Sequence, residues 1–330
     1  MTSGLNAQMR ADVTASLTSL PTPVALVLGN GLQNAAAQVG MWRALVAATS
    51  WRPDFVVASS SGALLASCLI SSQVYGDGAE AGVGNVAGDA AAEAAERMWQ
   101  GIAESKLAKI GWTRLAGAIA GRDRNRTSRQ WRELLGDILA DAEFPRDSPH
   151  AFVATNVTTS QPMLLDSGSL VSAVLTAAAF PVITPAVETA SGDVLVDGSF
   201  IEPVPVTTAI GRGAQSLLVF DTGRAALNDD PEAPRRWFDV VLSSIHHQVA
   251  ATASHDVFRV AHGHPIVMLS TPEPFEIGWR DVPARITAGQ EAGAAQLATI
   301  AARWSDLDVP GVYCAADEVA LDRRLTGVIR

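Results

Sequence analysis

Residues 53–64, Pro53-Asp54-Phe55-Val56-Val57-Ala58-Ser59-Ser60-Ser61-Gly62-Ala63-Leu64, leave few folds open to this chain. A short apolar run that is closed by a turn of small polar residues, with small apolar ones next, reads as a strand buried on both faces that feeds a helix. Such a unit belongs in an α/β protein with a mostly parallel sheet. A serine at the turn stands at the strand tip with helix N-terminal amides behind it, which is where acyl-transfer chemistry keeps its nucleophile. Ser60 occupies that place. The usual elbow, Gly-x-Ser-x-Gly, here reads Ala58-Ser59-Ser60-Ser61-Gly62. Taken alone, the stretch also fits a serine-rich helix cap after a core strand.

A second unit of the same kind precedes it. Pro23-Val24-Ala25-Leu26-Val27-Leu28 reads as a buried strand, Gly29-Asn30-Gly31-Leu32-Gln33-Asn34 as a loop, and 35–48 as an Ala-rich helix. A loop in that position points several backbone N–H groups at one spot that attracts negative charge. Three readings compete: a dinucleotide fingerprint with Asp54 on the ribose, a plain tight turn, and an oxyanion hole serving Ser60. Asp54 precedes its strand instead of ending it, which speaks against the first. Only the third explains why the two units follow each other.

The formal charge of −10 argues against nucleic acid as a partner and weakens attraction to anionic membranes. No apolar run approaches the roughly 20 residues that span a bilayer, and Met1 to Leu20 lacks the pattern of a secretory signal. Cys68 and Cys314 have no metal-type spacing. Cys68 reads as a packed thiol, and this usage fits a reducing compartment. Beyond the elbow helix, a Gly/Ala-rich loop is expected at 76–88, then helices at 90–119 and 128–142 around the charged run 122–126. Trp99, Trp112 and Trp131 in this excursion form no stripe and read as core. Strands follow at 151–155, 163–165 (after a turn at 160–162), 193–199, 216–221 and 265–269. Helices follow at 170–179, 235–261 and 282–304.

A serine hydroxyl needs a base. A triad would draw on His246, His247, His255, His262 or His264, and by position His264, just before Pro265, suits best. A dyad would use Asp197, at the end of the short strand Asp193-Val194-Leu195-Val196-Asp197, with Gly198 allowing a sharp turn. Burial among Val194, Leu195 and Val196 would make that carboxylate a better base.

The run from Leu28-Gly29-Asn30-Gly31 through Gln38-Val39-Gly40-Met41-Trp42-Arg43-Ala44-Leu45, the elbow around Ser60, the stretch Val153 to Thr159, the helix end at Phe180-Pro181, and Val196-Asp197-Gly198-Ser199 resemble the patatin-like phospholipase family, in its order and spacing over about residues 22–225. The resemblance implies a three-layer α/β/α fold with a mostly parallel central sheet and a Ser/Asp dyad acting on acyl esters of lipids, without metal or cofactor. It places Ser60 as nucleophile, Asp197 as base, and the loop Gly29, Asn30, Gly31 and Leu32 as oxyanion hole. The chain departs from the family pattern in several places. The loop has Asn30 and Leu32 where glycines are usual, and Asn34 where a basic residue is usual. Ala58 replaces the elbow's first glycine and Pro203 an expected asparagine. A positive charge near the oxyanion then has to come from Arg43 or another residue.

The expected protein is therefore a serine acyl hydrolase forming an acyl-enzyme. The alternatives are an acyltransferase or thioesterase on the same dyad, and a patatin-like protein that binds acyl ligands or a protein partner. Residues 1–21 are expected as a polar leader and 22–330 as one domain, with a helical excursion at about 73–150 and a helical extension from about 276. The expected partner is a lipid or acyl-ester substrate, met through transient membrane contact at most. The expected compartment is the cytoplasm.

Overall fold

Strands that are apolar at every position can only lie inside a sheet covered on both faces. The computed structural model describes residues 5–74, 83–105, 124–181, 183–223, 237–271 and 281–315. Its first half runs α1 (Ala7–Thr18), β1 (Val24–Leu28), a single 3-10 turn (Leu32–Ala35), α2 (Ala36–Ala48), β2 (Phe55–Ser59), α3 (Gly62–Ser71), α4 (Val83–Glu104) and α5 (Arg124–Leu139). Then come β3 (Ala151–Asn156), β4 (Gln161–Leu165), α6 (Leu170–Ala177), β5 (Val187–Glu188), β6 (Val194–Asp197), α7 (Val206–Gly211), β7 (Ser216–Asp221), α8 (Trp237–Ala261), β8 (Pro265–Ser270), α9 (Val282–Arg303) and β9 (Gly311–Tyr313).

The nine strands among the described residues join one sheet in the order β5-β6-β3-β2-β1-β7-β8-β9, with β4 added on β3. The stretch from β3 through β9 is parallel throughout. Side chains alternate between the two faces, and both faces are buried. Leu26, Leu28, Val56, Ala58, Phe152, Leu218 and Phe220 pack into the core that also holds α2, α3, α4, α6 and α9. Ala25, Val27, Phe55, Val57, Leu217 and Val219 pack into a second core with α7 and α8. The result is a mostly parallel sheet with helices on both sides, the α/β/α fold that the family resemblance implies.

The central feature for the site is the crowding around β3. β4 takes one edge of β3 from Phe152 to Asn156, so β2 and β6 share the other. β2 pairs with Ala151 to Val153 and ends there, and β6 arrives from the opposite direction over Asn156 to Ala154. Ser59 lies opposite Val153 and Asp197 opposite Ala154, so two strand tips abut on adjacent rungs.

Some expectations shift. The Gly/Ala stretch anticipated as a loop is helical from Val83 onward. Gly88 brings α4 close to α2 there, and its carbonyl accepts a 3.0 Å hydrogen bond from Trp42 Nε1. β4 begins at Gln161, earlier than expected, because Pro162 is tolerated in an edge strand. The turn before it is built by Asn156 Oδ1, which accepts the amides of Thr158 and Thr159. The polar leader contains α1, capped by Asn6, with Val13 and Leu17 buried. Trp99 and Trp131 are core residues. Trp112, residues 76–82 and part of the charged run at 122–126 lie outside the described residues. Among the described residues no helix is long and apolar enough to cross a membrane.

Candidate active site

β2 ends in an elbow at Ser60, whose φ of +54° lies in the left-handed region that non-glycine residues avoid. Holding such a conformation costs on the order of 1–3 kcal/mol and is tolerated when the surroundings leave no alternative. Here α3 starts at once: Ala63 N donates to Ser60 O and Leu64 N to Ser61 O. Gly62 is required by space, since a Cβ there would meet the carbonyl oxygens of Leu28 and Gly29. Ala58 is fully buried in β2 between Leu28 and Phe152, so a methyl group fits where the usual elbow has glycine.

Asp197, at the tip of β6, is held from every side. Its N–H donates to Ala179 O at 3.0 Å and its carbonyl accepts from Thr155 Oγ1 at 2.8 Å. Oδ1 accepts the Ser199 N–H at 2.8 Å, and Oδ2 accepts the Ser60 hydroxyl at 2.8 Å. The residue is 1% exposed. Burial pushes the carboxyl up to about 6, against the opposing pull of the hydrogen bonds from Ser199 and Ser60. Gly198 has no positive φ. Glycine is needed because a Cβ would run into Val153 O and crowd Ser59 Oγ, so the turn depends on close approach.

The loop after β1 divides into engaged and open donors. The Gly29 N–H donates to Phe220 O at 3.3 Å and the Asn30 N–H to Pro203 O at 2.9 Å. Gly31 and Leu32 N–H groups make no hydrogen bond among the described residues. Their directions follow from trans peptide planarity, which sets each C=O opposite the next N–H. Asn30 O accepts from Thr222 Oγ1 at 3.1 Å, so the Gly31 N–H points away from β7. Gly31 O accepts from Asn34 N at 2.9 Å, so the Leu32 N–H points out of the 3-10 turn. Gln38 Nε2 holds Gly29 O at 2.8 Å. Leu32 takes φ +46°, the conformation a glycine would adopt without strain.

An apolar pocket opens beside these groups. Leu32, Ser60, Ser61 and Asp197 line one end, and Leu64, Ile102, Trp131, Leu135, Val174, Leu175, Phe180 and Ile183 line the rest. Ile102 and Trp131 come from the excursion helices α4 and α5. The space measures about 50 Å³, and Asp197 is the one ionisable residue among its described lining residues. Ser61 Oγ is buried there without a hydrogen-bond partner among the described residues.

The competing readings fit the geometry unequally. Asp54 Oδ2 accepts the Val24 N–H at 2.6 Å, tying together the beginnings of β1 and β2, so it serves no ribose. His264 precedes β8, and its Nδ1 lies 3.0 Å from Gln215 O. It therefore sits at the opposite ends of the parallel strands from Ser60, about 20 Å away for a six-residue strand. No histidine lines the pocket among the described residues. Arg43 does not approach the loop: its guanidinium pairs with Glu96 of α4 at 2.6 Å. The residue that reaches the loop is Arg285 of α9, which the sequence did not single out. Cys68 is buried in α3, its thiol pushed up to about 12 by burial. Among the described residues no cluster of three His, Cys, Asp or Glu side chains could hold a metal ion.

The chain matches the model of the patatin-like phospholipase family over residues 26–210. No curated protein matches it. Among solved structures, the crystal structure of VipD from Legionella pneumophila is similar at 12% identity and a TM-score of 0.39, over 85% of this chain and 66% of that one.

Proposed function

The chain belongs to the patatin-like phospholipase family, and from that premise we propose that it is a serine acyl hydrolase in which Ser60 and Asp197 form a catalytic dyad. The observation that carries this reading is the 2.8 Å hydrogen bond from the Ser60 hydroxyl to Asp197 Oδ2 at two abutting strand tips. In the first half-reaction Ser60 Oγ attacks the ester carbonyl carbon and its proton passes to Asp197 Oδ2. The carbonyl oxygen becomes an oxyanion and receives the open N–H groups of Gly31 and Leu32. As the C–O bond breaks, the leaving alkoxide takes the proton back from Asp197, leaving an acyl group on Ser60. A water then gives its proton to Asp197 and attacks the acyl carbon. Collapse returns that proton to Ser60 Oγ and frees the carboxylic acid.

Of the four loop residues assigned to the oxyanion hole, Gly29 and Asn30 have their amides committed elsewhere, and this reading keeps Gly31 and Leu32 as donors. The elevated Asp197 carboxyl is a stronger base than an ordinary carboxylate. The apolar pocket suits the hydrocarbon of an acyl group, which supports acyl esters of lipids as substrates. We read residues 22–330 as one domain, in which α9 lies against α2.

Fluorophosphonate labelling of the purified protein tests the proposal. Stable attachment that disappears in Ser60→Ala is the expected result, and absence of labelling in the wild type at high probe concentration removes the hydrolase reading.

A further inference from the structure

The loop that presents Gly31 and Leu32 is held at its two ends by different parts of the chain. Gln38 and Thr222 tie the carbonyls of Gly29 and Asn30, which secures the beginning of the loop. Its far end is the 3-10 turn from Leu32 to Ala35, entered through the left-handed Leu32. A turn with such an entry keeps its shape only where something outside it holds it. Resting on the hydrolase reading above, we propose that Arg285 is the positioning residue for this end of the loop, acting through Asn34 on the peptide that carries the Leu32 N–H.

Two hydrogen bonds make the connection. Arg285 Nη1 donates to Asn34 Oδ1 at 2.5 Å, across 251 residues of sequence. Asn34 N donates to Gly31 O at 2.9 Å. That carbonyl and the Leu32 N–H belong to one planar peptide, so fixing the first orients the second. A guanidinium hydrogen bond of this length is among the stronger ones a side chain can make. Arg285 is 7% exposed and Asn34 1% exposed, so water competes little for either end.

The helix bearing Arg285 is anchored rigidly enough for this role. α9 crosses α2 with the two backbones in contact. A Cβ on Gly40 would strike Ile286 O, and one on Gly289 would strike Ala37 O. Ile286 directly follows Arg285, so the guanidinium is delivered from a helix whose distance from α2 is set by backbone contact. α9 lies beyond residues 26–210, the part that matches the family model, so an element outside that segment completes the site. Arg285 does not line the pocket and touches no reacting atom, which distinguishes it from Ser60 and Asp197.

The test uses the full chain, a p-nitrophenyl ester and a fluorophosphonate probe. Arg285→Met keeps most of the side-chain volume, and Asn34→Leu cuts the same link without touching α9. Each is expected to lower kcat about 10- to 100-fold with KM within about twofold, because a misplaced donor weakens the transition state more than the bound ester. The fluorophosphonate labelling rate should fall in parallel. The double variant is expected to be no slower than either single one, since both break one chain of contacts. A wild-type kcat in Asn34→Leu, or losses that multiply in the double variant, overturns the role of Arg285. Should Arg285→Met fail to fold, Asn34→Leu alone decides. These outcomes are read only if wild-type Ser60 is labelled; a wild type that takes no label overturns the hydrolase reading instead.

Discussion

Ser60 Oγ and Asp197 Oδ2 stand 2.8 Å apart although 137 residues separate them, because β2 and β6 run toward each other along one edge of β3 and stop on neighbouring rungs. Most of the chemistry proposed for this protein follows from that meeting of strand tips.

Ser60→Ala is expected to reduce hydrolysis of a chromogenic acyl ester by about 10⁴-fold or more, since loss of the nucleophile removes the covalent route. Comparison with Ser60→Gly reports on the elbow. At φ +54° glycine is unstrained and alanine is not. Both variants lose the bond to Asp197, so Ser60→Gly should be more stable than Ser60→Ala by about 1 kcal/mol in urea denaturation. Equal stabilities would mean that the elbow holds no strain.

Asp197 predicts opposite pH trends for activity and stability. As a base it must be ionised, so kcat/KM should rise with pH through an apparent pKa near 6. Its pKa is raised above the ordinary 3.8, so the folded state binds the proton more tightly than the unfolded chain. Its contribution to stability is therefore full below about pH 4 and declines as pH rises through about 6, by roughly 3 kcal/mol in all. Asp197→Asn should lose activity, and the wild type's stability relative to it should fall between pH 4 and 7, while His150, lowered to about 4 by burial, adds the same opposing slope to both proteins. A wild-type minus Asp197→Asn stability difference that stays constant across that window would contradict the buried, proton-holding carboxyl.

Gly31 faces Thr222 so closely that a Cβ would collide with Oγ1 and crowd the Ala35 amide. Gly31→Ala should displace the peptide that presents the open N–H groups and lower kcat by about 10²- to 10³-fold, the loss expected for one oxyanion donor. Thr222→Ser keeps the hydroxyl bonded to Asn30 O, removes only a methyl group, and should leave kcat within about threefold. A Gly31→Ala enzyme with wild-type kcat would place the oxyanion elsewhere.

The pocket is narrow, about 50 Å³, and Ala178 forms part of its wall. Ala178→Leu should shorten the usable space and reduce kcat/KM for an octanoyl ester about tenfold more than for an acetyl ester. Equal losses for the two esters would show that the acyl chain lies outside this pocket.

The buried strands at 24–28, 55–59 and 216–221 were legible because each contains an unbroken apolar run, with polar residues only at the ends, a signal that depends only on neighbours a few positions away. The elbow at Ser60 and the loop at Gly29 were legible for the same reason, as local turn chemistry between a strand and a helix. The sequence reads only the start of α4, Val83 to Gly88, as loop, because its glycines weaken the local preference, while packing against Trp42 and Val46 outweighs it.

By itself, then, the sequence determined the layered sheet, the strand tip bearing Ser60, and Asp197 as the carboxylate to set against the histidines. Only the tertiary structure decided that the two meet, that Gly29 and Asn30 spend their amides on Phe220 and Pro203 while Gly31 and Leu32 do not, and that Arg285 reaches Asn34. The physical reason is that these contacts join residues far apart in the chain. They depend on strand order, on which edge of β3 is taken, and on how closely α9 lies against α2, none of which is written in the residues on either side of a contact.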